Sequence, residues 1–249
     1  MTEKQLQHHR AETNRLVQEL HKEFGVSSAE VRGSVARGTV VRGVSDVDVV
    51  VDLGDSDLSA KEAAAQFAQR IGGTPLGRVL HVELGGVEID VVFEGSGYSK
   101  DHIAFFQGEY RSVPLAKDLA VVAKRYLSRA GCRGVLKSLV LELLCVHVAR
   151  GVPCPSRALP VRNLALDDAF AELLSCLTKE HFAKLRVVWE REWRRPTPVV
   201  LDPVRLAEGV NLLESNGARL RDLPALHEVA ARALATAPVR GPGRSHLLQ

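Results

Sequence analysis

Three aspartates in two valine-rich segments are the residues of this sequence best suited to chemistry. Asp46 and Asp48 lie in residues 45–51 (SDVDVVV), and Asp90 lies in residues 87–93 (VEIDVVF). Alternate side chains of a strand point to one face, so we expect Asp46 and Asp48 to project together while the valines enter the core. If the second segment is the neighbouring strand, three carboxylates meet, and their repulsion favours binding of a divalent cation. Mg²⁺ suits such a site because it prefers hard oxygen ligands and binds carboxylates together with substrate phosphates.

A glycine–serine turn precedes the first of these segments, in residues 33–39 (GSVARGT). Gly33 permits close approach of the backbone, and the backbone N–H groups and the Ser34 hydroxyl can bind phosphate oxygens. Two Mg²⁺ ions at the aspartates could activate an attacking hydroxyl and stabilise a leaving pyrophosphate. The three segments together predict a site where phosphate and metal meet.

The order of these motifs, GS, then DxD, then a third aspartate, resembles the DNA-polymerase-beta-like nucleotidyltransferase superfamily. Three later segments look like the 2'-5'-oligoadenylate synthetase branch of that superfamily. They are the lysine-bearing helix at 121–127 (VVAKRYL), the buried helix at 139–151 (LVLELLCVHVARG) and the proline-rich segment at 195–204 (RPTPVVLDPV). The resemblance covers roughly residues 26–215.

The resemblance implies a two-lobed enzyme whose cleft holds ATP and an acceptor nucleotide, with AMP transferred to a ribose hydroxyl and pyrophosphate released. It implies two Mg²⁺ ions, with Mn²⁺ as a substitute. No zinc is expected, because the spacing of the cysteine and histidine residues does not suit that metal. The implied catalytic residues and metal ligands are Asp46, Asp48 and Asp90, with Asp90 also helping to deprotonate the acceptor hydroxyl. The implied nucleotide contacts are Gly33, Ser34 and Lys124, with Lys137 and Ser138 as weaker candidates.

Several products stay open at this point. The expected products are 2'-5'-linked oligoadenylates, with double-stranded RNA as a candidate activator and a role in innate immunity implied by the resemblance. The alternatives are a cyclic di- or oligonucleotide synthase and an adenylyltransferase for small molecules or RNA ends. A non-enzymatic alternative is an inactive relative that binds RNA or a partner protein through its basic half.

The helices and strands expected around these residues predict an α+β fold. The resemblance implies a polymerase-beta-like core, with a small mixed sheet and flanking helices, followed by a helical lobe. We expect a core at 1–110, a helical lobe at 111–235 that closes the nucleotide cleft, and a disordered tail at 236–249. The core is predicted to begin with a helix at 3–24 and to contain a helix at 59–72 and two strands hinged at Gly85–Gly86. Helices of the second half are predicted at 115–130, 135–150, 165–178, 179–195 (stopped by Pro196) and from an Asp202 N-cap to about 215.

Composition is typical of a folded protein. The chain has 249 residues, 45% of them hydrophobic and 25% charged, and no apolar run approaches the ~20 residues of a membrane span. The first residues lack a signal peptide, so we expect a cytoplasmic protein that binds no membrane. Four cysteines without a CxxC pair predict a reducing compartment. Residues 1–110 carry 11 basic and 17 acidic side chains, and residues 111–249 carry 22 and 13, so a basic half could hold phosphates.

Other residues have a structural interpretation beside a functional one. We expect Glu142, in the buried helix, to pair with a lysine or arginine rather than to contact substrate. Cys145, His147 and Cys154 have poor spacing for zinc, so a structural role is favoured. Two basic groups could bind nucleic acid, although solvated helix faces and inward-packed tryptophans explain them as well. They are Lys117, Arg125, Arg129 and Arg133, and Arg186, Trp189, Arg191, Trp193, Arg194 and Arg195.

Overall fold

The computed structural model describes most of the chain. The described residues are 3–24, 26, 28–41, 44–45, 47–53, 57–93, 99–151, 164–189, 198–214 and 219–236. The chain divides into two compact units, residues 1–104 and residues 105–249. The sequence placed this boundary at residues 110 and 111, and the roles that it gave to the two parts stay predictions. Of the expected tail, residues 237–249 lie outside the described residues.

Unit 1 is built on a mixed sheet. Its strands are β1 (Ser28–Val31), β2 (Val47–Asp52), β3 (Thr74–Leu76), β4 (Val79–Leu84) and β5 (Val87–Phe93). Its helices are α1 (Glu3–Phe24), α2 (Gly33–Arg37), α3 (Ala60–Ile71) and the beginning of α4 (Ser99–Ser112). The strand order is β1-β2-β5-β4-β3, in which β2 and β5 are parallel and the other neighbours are antiparallel. This arrangement confirms the predicted α+β core with a small mixed sheet.

One face of this sheet forms the core of unit 1. Along β2 and β5 every second residue is buried, and these residues are Val47, Val49, Val51, Val87, Ile89, Val91 and Phe93. They belong to one apolar cluster with Leu16 and Leu20 of α1 and Phe67 of α3. Burial of each large side chain stabilises the fold by roughly 1.5–3 kcal/mol. The alternation leaves Asp48 and Asp90 on the opposite face of the sheet.

Local signals in unit 1 define the start of α3 and the turn between β4 and β5. Ser59 caps α3, since its hydroxyl accepts the Glu62 N–H (3.3 Å) while the Glu62 carboxylate accepts the Ser59 N–H (2.9 Å). Gly85 and Gly86 have φ of 57° and 75° and join β4 to β5 in a two-residue turn. The predicted helices at 3–24 and 59–72 and the hinged strand pair are therefore confirmed.

Unit 2 is mainly helical. Its helices are the rest of α4, α5 (Pro114–Arg129), α6 (Ser138–Ala149), α7 (Leu166–Cys176), α8 (Lys179–Phe182) and α9 (Leu223–Thr236), and its short strands are β6 (Arg186–Val187) and β7 (Val199–Val200). α6 is buried at every position from Val140 to Val148, which confirms that its apolar residues lie on all sides within the core. Among the described residues, no helix has both the length and the hydropathy needed to span a membrane.

Two predicted helices of unit 2 are wrong. The helix predicted at 179–195 ends at Phe182, because β-branched Val187 lies in β6, which pairs in parallel with β7. The helix predicted from Asp202 is also absent from the described residues 202–214. Asp202 Oδ1 accepts the Val204 N–H (3.0 Å) in a local turn, a short 3₁₀ turn follows, and Asn211 bridges back to Leu201. Asp202 therefore caps a turn that never becomes an α-helix.

Other elements were missed by the sequence analysis. α4 and α9 each have apolar residues at helical spacing, Phe106 and Tyr110 in α4, and Leu226, Val229 and Ala230 in α9. The glycine–serine turn contains a short helix, α2, rather than a plain turn. β3 forms the sheet edge beside β4.

Candidate active site

Two of the three predicted metal ligands lie side by side in unit 1. In the parallel pair β2–β5, Asp48 is the direct register partner of Asp90. Neighbouring strands lie about 4.8 Å apart, and register partners project to the same face, so the two carboxylates share one patch. Both residues are partly exposed, so an ion from solvent can reach them. The register confirms that the strand of Asp90 is the neighbour of the strand of Asp48.

The glycine of the GS motif lies directly against the carboxylate of Asp48. A Cβ atom built on Gly33 would be 1.7 Å from Asp48 Oδ2 and 2.7 Å from its Cγ. Gly33 also has φ of +59°, a conformation that side chains with a Cβ rarely adopt. The N–H of the preceding residue, Arg32, donates to the Asp48 backbone carbonyl (2.8 Å) and fixes the turn to the end of the strand. A Cβ at this position would therefore force the Asp48 carboxylate to move and would strain the backbone.

Ser34 follows in the first turn of α2. The residue is buried, and its backbone carbonyl accepts the Thr39 N–H (2.9 Å). Gly38 ends the helix in the left-handed conformation with φ of 73°. The turn is thus closed by its own hydrogen bonds, and this holds Gly33 and Ser34 next to β2. Their contact with phosphate stays a prediction.

The remaining aspartate of the DxD motif, Asp46, lies outside the described residues. The adjacent Ser45 is described, and its hydroxyl accepts the Val41 N–H (3.1 Å). Within the described part of the chain, no group of three or more His, Cys, Asp or Glu side chains could hold a metal ion. A three-carboxylate centre at Asp46, Asp48 and Asp90 therefore stays a prediction.

Asp90 has a partner that the sequence analysis missed. His81 of β4 is its register partner on the other side of β5, and His81 Nδ1 lies 2.8 Å from Asp90 Oδ1. A carboxylate only accepts hydrogen bonds, so Nδ1 is the donor. The signal was available, because counting back from the Gly85–Gly86 turn places residue 81 opposite residue 90.

The predicted donor lysine lies in a buried network of unit 2. Lys124 Nζ donates to Glu142 Oε1 (2.7 Å), and the Tyr110 hydroxyl donates to Glu142 Oε2 (2.8 Å). The side chains of Lys124 and Glu142 are 4% and 0% exposed. The predicted ion pair of Glu142 is confirmed. A contact between Lys124 and a triphosphate stays a prediction, and it would have to coexist with this pair or replace it.

The weaker candidates of unit 2 are exposed. Lys137 is the N-cap residue of α6, and Ser138 begins that helix. The basic residues Lys117, Arg125, Arg129 and Arg133 are exposed on or just after α5, and Arg186 is exposed on β6. Arg191, Trp193, Arg194 and Arg195 lie outside the described residues. Binding of nucleic acid by these side chains stays a prediction.

Trp189 packs inward, as the structural interpretation predicted. Its indole Nε1 donates to the Leu201 carbonyl (3.0 Å), and its ring meets Phe105 edge to face at 5.1 Å between centroids. The guanidinium of Arg150 lies 5.3 Å from its ring centroid and pairs with Glu109. Trp189 is therefore a core residue and presents no free face for a nucleic-acid base.

The cysteine and histidine side chains near the end of α6 are also buried. Burial raises the pKa of the Cys145 thiol, and burial and the nearby Arg150 lower the pKa of His147 to about 4. Cys154 lies outside the described residues. Cys176 is disulfide-bonded, a pairing that the sequence analysis did not predict.

Comparisons with known proteins also indicate a nucleotidyltransferase domain. The model of the nucleotidyltransferase domain family matches residues 13–113, which contain the GS motif and all three aspartates. No curated protein matches the chain. Among solved structures, the chain is similar to CdnC of E. coli MS115-1 in its complex with HORMA-deltaN, with a TM-score of 0.71 and 17% identity over 96% of this chain and 88% of CdnC.

Two other solved structures have the same fold. A cytoplasmic RNA terminal U-transferase gives a TM-score of 0.67 at 15% identity, and a mutant of the Cid1 poly(U) polymerase bound to MgATP gives 0.66 at 14%. Each alignment covers 97% of this chain and 92% of the other. The fold is therefore the polymerase-beta-like nucleotidyltransferase fold, and the domain match supports that superfamily. Neither finding supports the 2'-5'-oligoadenylate synthetase branch in particular.

Proposed function

We propose that the chain is a template-independent nucleotidyltransferase that transfers AMP from ATP to a ribose hydroxyl of an acceptor nucleotide. The nucleotidyltransferase class follows from the domain match and the fold. The observation that carries the proposal for this chain is the pairing of Asp48 with Asp90 in register beside Gly33. Gly33 lies against the Asp48 carboxylate and has no room for a Cβ, and this close fit is not expected of two acidic residues that are neighbours by chance.

The donor set fits Mg²⁺. Carboxylate oxygens are hard ligands, and Asp48 and Asp90 offer them from one face of the sheet, with Asp46 as the proposed third source. The absence of a side chain at Gly33 makes room for the Asp48 carboxylate, whose Oδ2 lies 1.7 Å from the position that a Cβ would take. When bound, two such ions would neutralise phosphate charge and increase the acidity of the attacking hydroxyl. A neighbouring structure, that of Cid1, contains MgATP.

The chain's own groups then perform separate tasks. The acceptor hydroxyl loses its proton to the Asp90 carboxylate while its oxygen forms a bond to the α-phosphorus of ATP. The bond from that phosphorus to the bridging oxygen breaks, and pyrophosphate leaves. The Ser34 hydroxyl and the N–H groups of the GS turn donate to the phosphates and stabilise the charge on the leaving group. Lys124 is proposed to add a positive charge on the donor side.

The product proposed first is a 2'-5'-linked oligoadenylate, on the resemblance of the helical segments to the synthetase branch. A second product class is favoured by the neighbours. They include an RNA terminal U-transferase and a poly(U) polymerase, so addition of nucleotides to an RNA end is the alternative. A cyclic dinucleotide or oligonucleotide is the remaining product to test. CdnC has been solved with ATP and with a protein partner, HORMA-deltaN.

The experiment is a product analysis with labelled nucleotide. The purified chain is incubated with Mg²⁺ and [α-³²P]ATP alone, with a short RNA, or with double-stranded RNA, and each other NTP replaces ATP in parallel. A ladder that resists 3'-5'-specific nuclease and changes mobility after phosphatase treatment identifies linear 2'-5' linkage. A product whose mobility phosphatase leaves unchanged indicates a ring, and labelled RNA indicates end addition. Failure to release pyrophosphate from any NTP under all these conditions would contradict the proposed function.

A further inference from the structure

A row of polar residues crosses the sheet of unit 1 at the level of the proposed metal site. Asp48 on β2 is in register with Asp90 on β5, and Asp90 is in register with His81 on β4. Register partners project to one face, so the three side chains follow one another across adjacent strands. Asp90 therefore has a carboxylate on one side and an imidazole on the other.

We propose that His81 is a positioning residue that holds the Asp90 carboxylate in the orientation needed for metal binding. His81 Nδ1 donates to Asp90 Oδ1 at 2.8 Å, a distance typical of a strong hydrogen bond to an ionised group. The bond occupies Oδ1 and thereby restrains the orientation of the Asp90 carboxylate. The inference rests on the proposed function, because it assigns Asp90 to the metal centre.

The surroundings explain why such a partner is needed. The side chain of Asp90 is 31% exposed and that of His81 is 40% exposed, so packing alone does not fix the carboxylate. A free Asp carboxylate rotates readily about its terminal bond, since that torsion is broad rather than staggered. A hydrogen bond from a residue on the adjacent strand removes this freedom without adding a further ligand. Partners of metal ligands commonly have this role, and their loss costs about 10–100-fold in metal affinity or activity.

Three substitutions at His81 separate this role from a purely structural one. His81→Ala removes the donor. His81→Asn keeps an N–H donor at the same number of bonds from Cβ as Nδ1, whereas His81→Gln places its amide one bond further out, as in Nε2. Glu83→Gln is the matched control, because Glu83 lies two residues away on the same strand and face and is exposed.

The deciding measurement is the affinity for Mn²⁺ alone, followed by electron paramagnetic resonance on the full chain. We expect His81→Ala and His81→Gln to weaken Mn²⁺ binding by about 10-fold or more, and His81→Asn and Glu83→Gln to stay within about threefold of wild type. The kcat for pyrophosphate release should fall in the same order, with the KM for ATP little changed. Melting temperatures check that each variant is folded.

Each outcome decides the proposal. Mn²⁺ affinity in His81→Ala within threefold of wild type overturns it, as does a folded His81→Asn variant that binds no better than His81→Ala. Absence of Mn²⁺ binding by the wild type also overturns it. If the wild type binds Mn²⁺ in a manner that depends on His81 but transfers no nucleotide, the proposed function fails while the positioning role stands.

Discussion

Gly33→Ala should displace the Asp48 carboxylate and so disable the site with little loss of fold. The new Cβ would lie 1.7 Å from Asp48 Oδ2 and 2.7 Å from Cγ, far inside the 3.4 Å of an ordinary contact. The main chain cannot yield easily, because Arg32 N–H is bonded to the Asp48 carbonyl. Asp48 Oδ2 must therefore move by roughly 1.7 Å to reach an ordinary contact distance, and misplacement of a reacting group by about 1 Å can cost about 100-fold in rate.

The substitution has a second, smaller effect on stability. Alanine at φ of +59° costs about 1–2 kcal/mol, which corresponds to a fall in Tm of roughly 2–8 °C for a chain of this length. Gly77→Ala is the matched control, because Gly77 has φ of +65° and an added Cβ there would meet nothing within 4 Å. The two variants thus share the backbone strain, and only one of them moves Asp48.

The assay compares kcat for pyrophosphate release and Tm in both variants. We expect similar falls in Tm, a kcat for Gly77→Ala within about threefold of wild type, and a kcat for Gly33→Ala lower by about 100-fold or more. A Gly33→Ala protein as active as Gly77→Ala would refute the reasoning that the glycine exists to make room for the carboxylate.

Three further predictions concern the rest of the chain. Lys124→Met removes the ammonium that pairs with the buried Glu142 carboxylate, so the free energy of unfolding in urea should fall by about 3–5 kcal/mol. Arg125→Met, at an exposed position, should change it by less than about 0.5 kcal/mol, and equal losses would contradict the pairing. Because the pKa of folded His147 is lowered to about 4, only the unfolded chain takes up this proton between pH 6.5 and 4, and stability should fall by up to roughly 3 kcal/mol over that range. His147→Leu should remove this part of the pH dependence, and an unchanged profile would argue against it. Asp46→Asn should abolish transfer with unchanged or higher Tm, and near-normal turnover would remove Asp46 from the site.

The core of unit 1 could be predicted because its signals are local. Alternating valines in β2 and β5 specify which face is buried, and two glycines between β4 and β5 specify the turn. Once the turn is fixed, so is the register of Asp90 within the hairpin. The pairing of Asp48 with Asp90 is different, since it joins strands far apart in sequence, and the order of the motifs rather than periodicity predicted it.

The errors in unit 2 have the opposite cause. Residues 179–195 have a helical spacing of apolar side chains, yet Val187 pairs with Val200 of β7. The local sequence pattern contains no information about this pairing, because the two residues are far apart along the chain. The Asp202 side chain does cap a backbone N–H, as the sequence indicated, but it closes a turn and not a helix. The reason is that Asn211 Oδ1 accepts the Val200 N–H (3.1 Å), which brings the chain back to β7. Local propensity lost to tertiary pairing in both places.

The site was predicted in part for the same reason. Aspartates in strands and a glycine–serine turn are visible in the sequence, whereas the fit of Gly33 against Asp48 is a matter of three-dimensional proximity. His81 could have been found from the hairpin register alone. The identity of the acceptor and the linkage of the product depend on the surfaces that bind the acceptor, and the two aspartates do not determine those surfaces. The resemblance to one branch was therefore not enough to predict the product.

The most direct test of the central claim measures Mg²⁺-dependent AMP transfer from [α-³²P]ATP by the wild type and by three single variants. Asp48→Asn and Asp90→Asn remove charge from the paired register positions, and Asp52→Asn removes it from the same strand and face four residues further along β2. We predict loss of labelled product and of pyrophosphate release in the first two variants, with Tm unchanged or higher, and activity within about threefold of wild type in Asp52→Asn. Near-normal transfer by Asp48→Asn or Asp90→Asn would contradict the account.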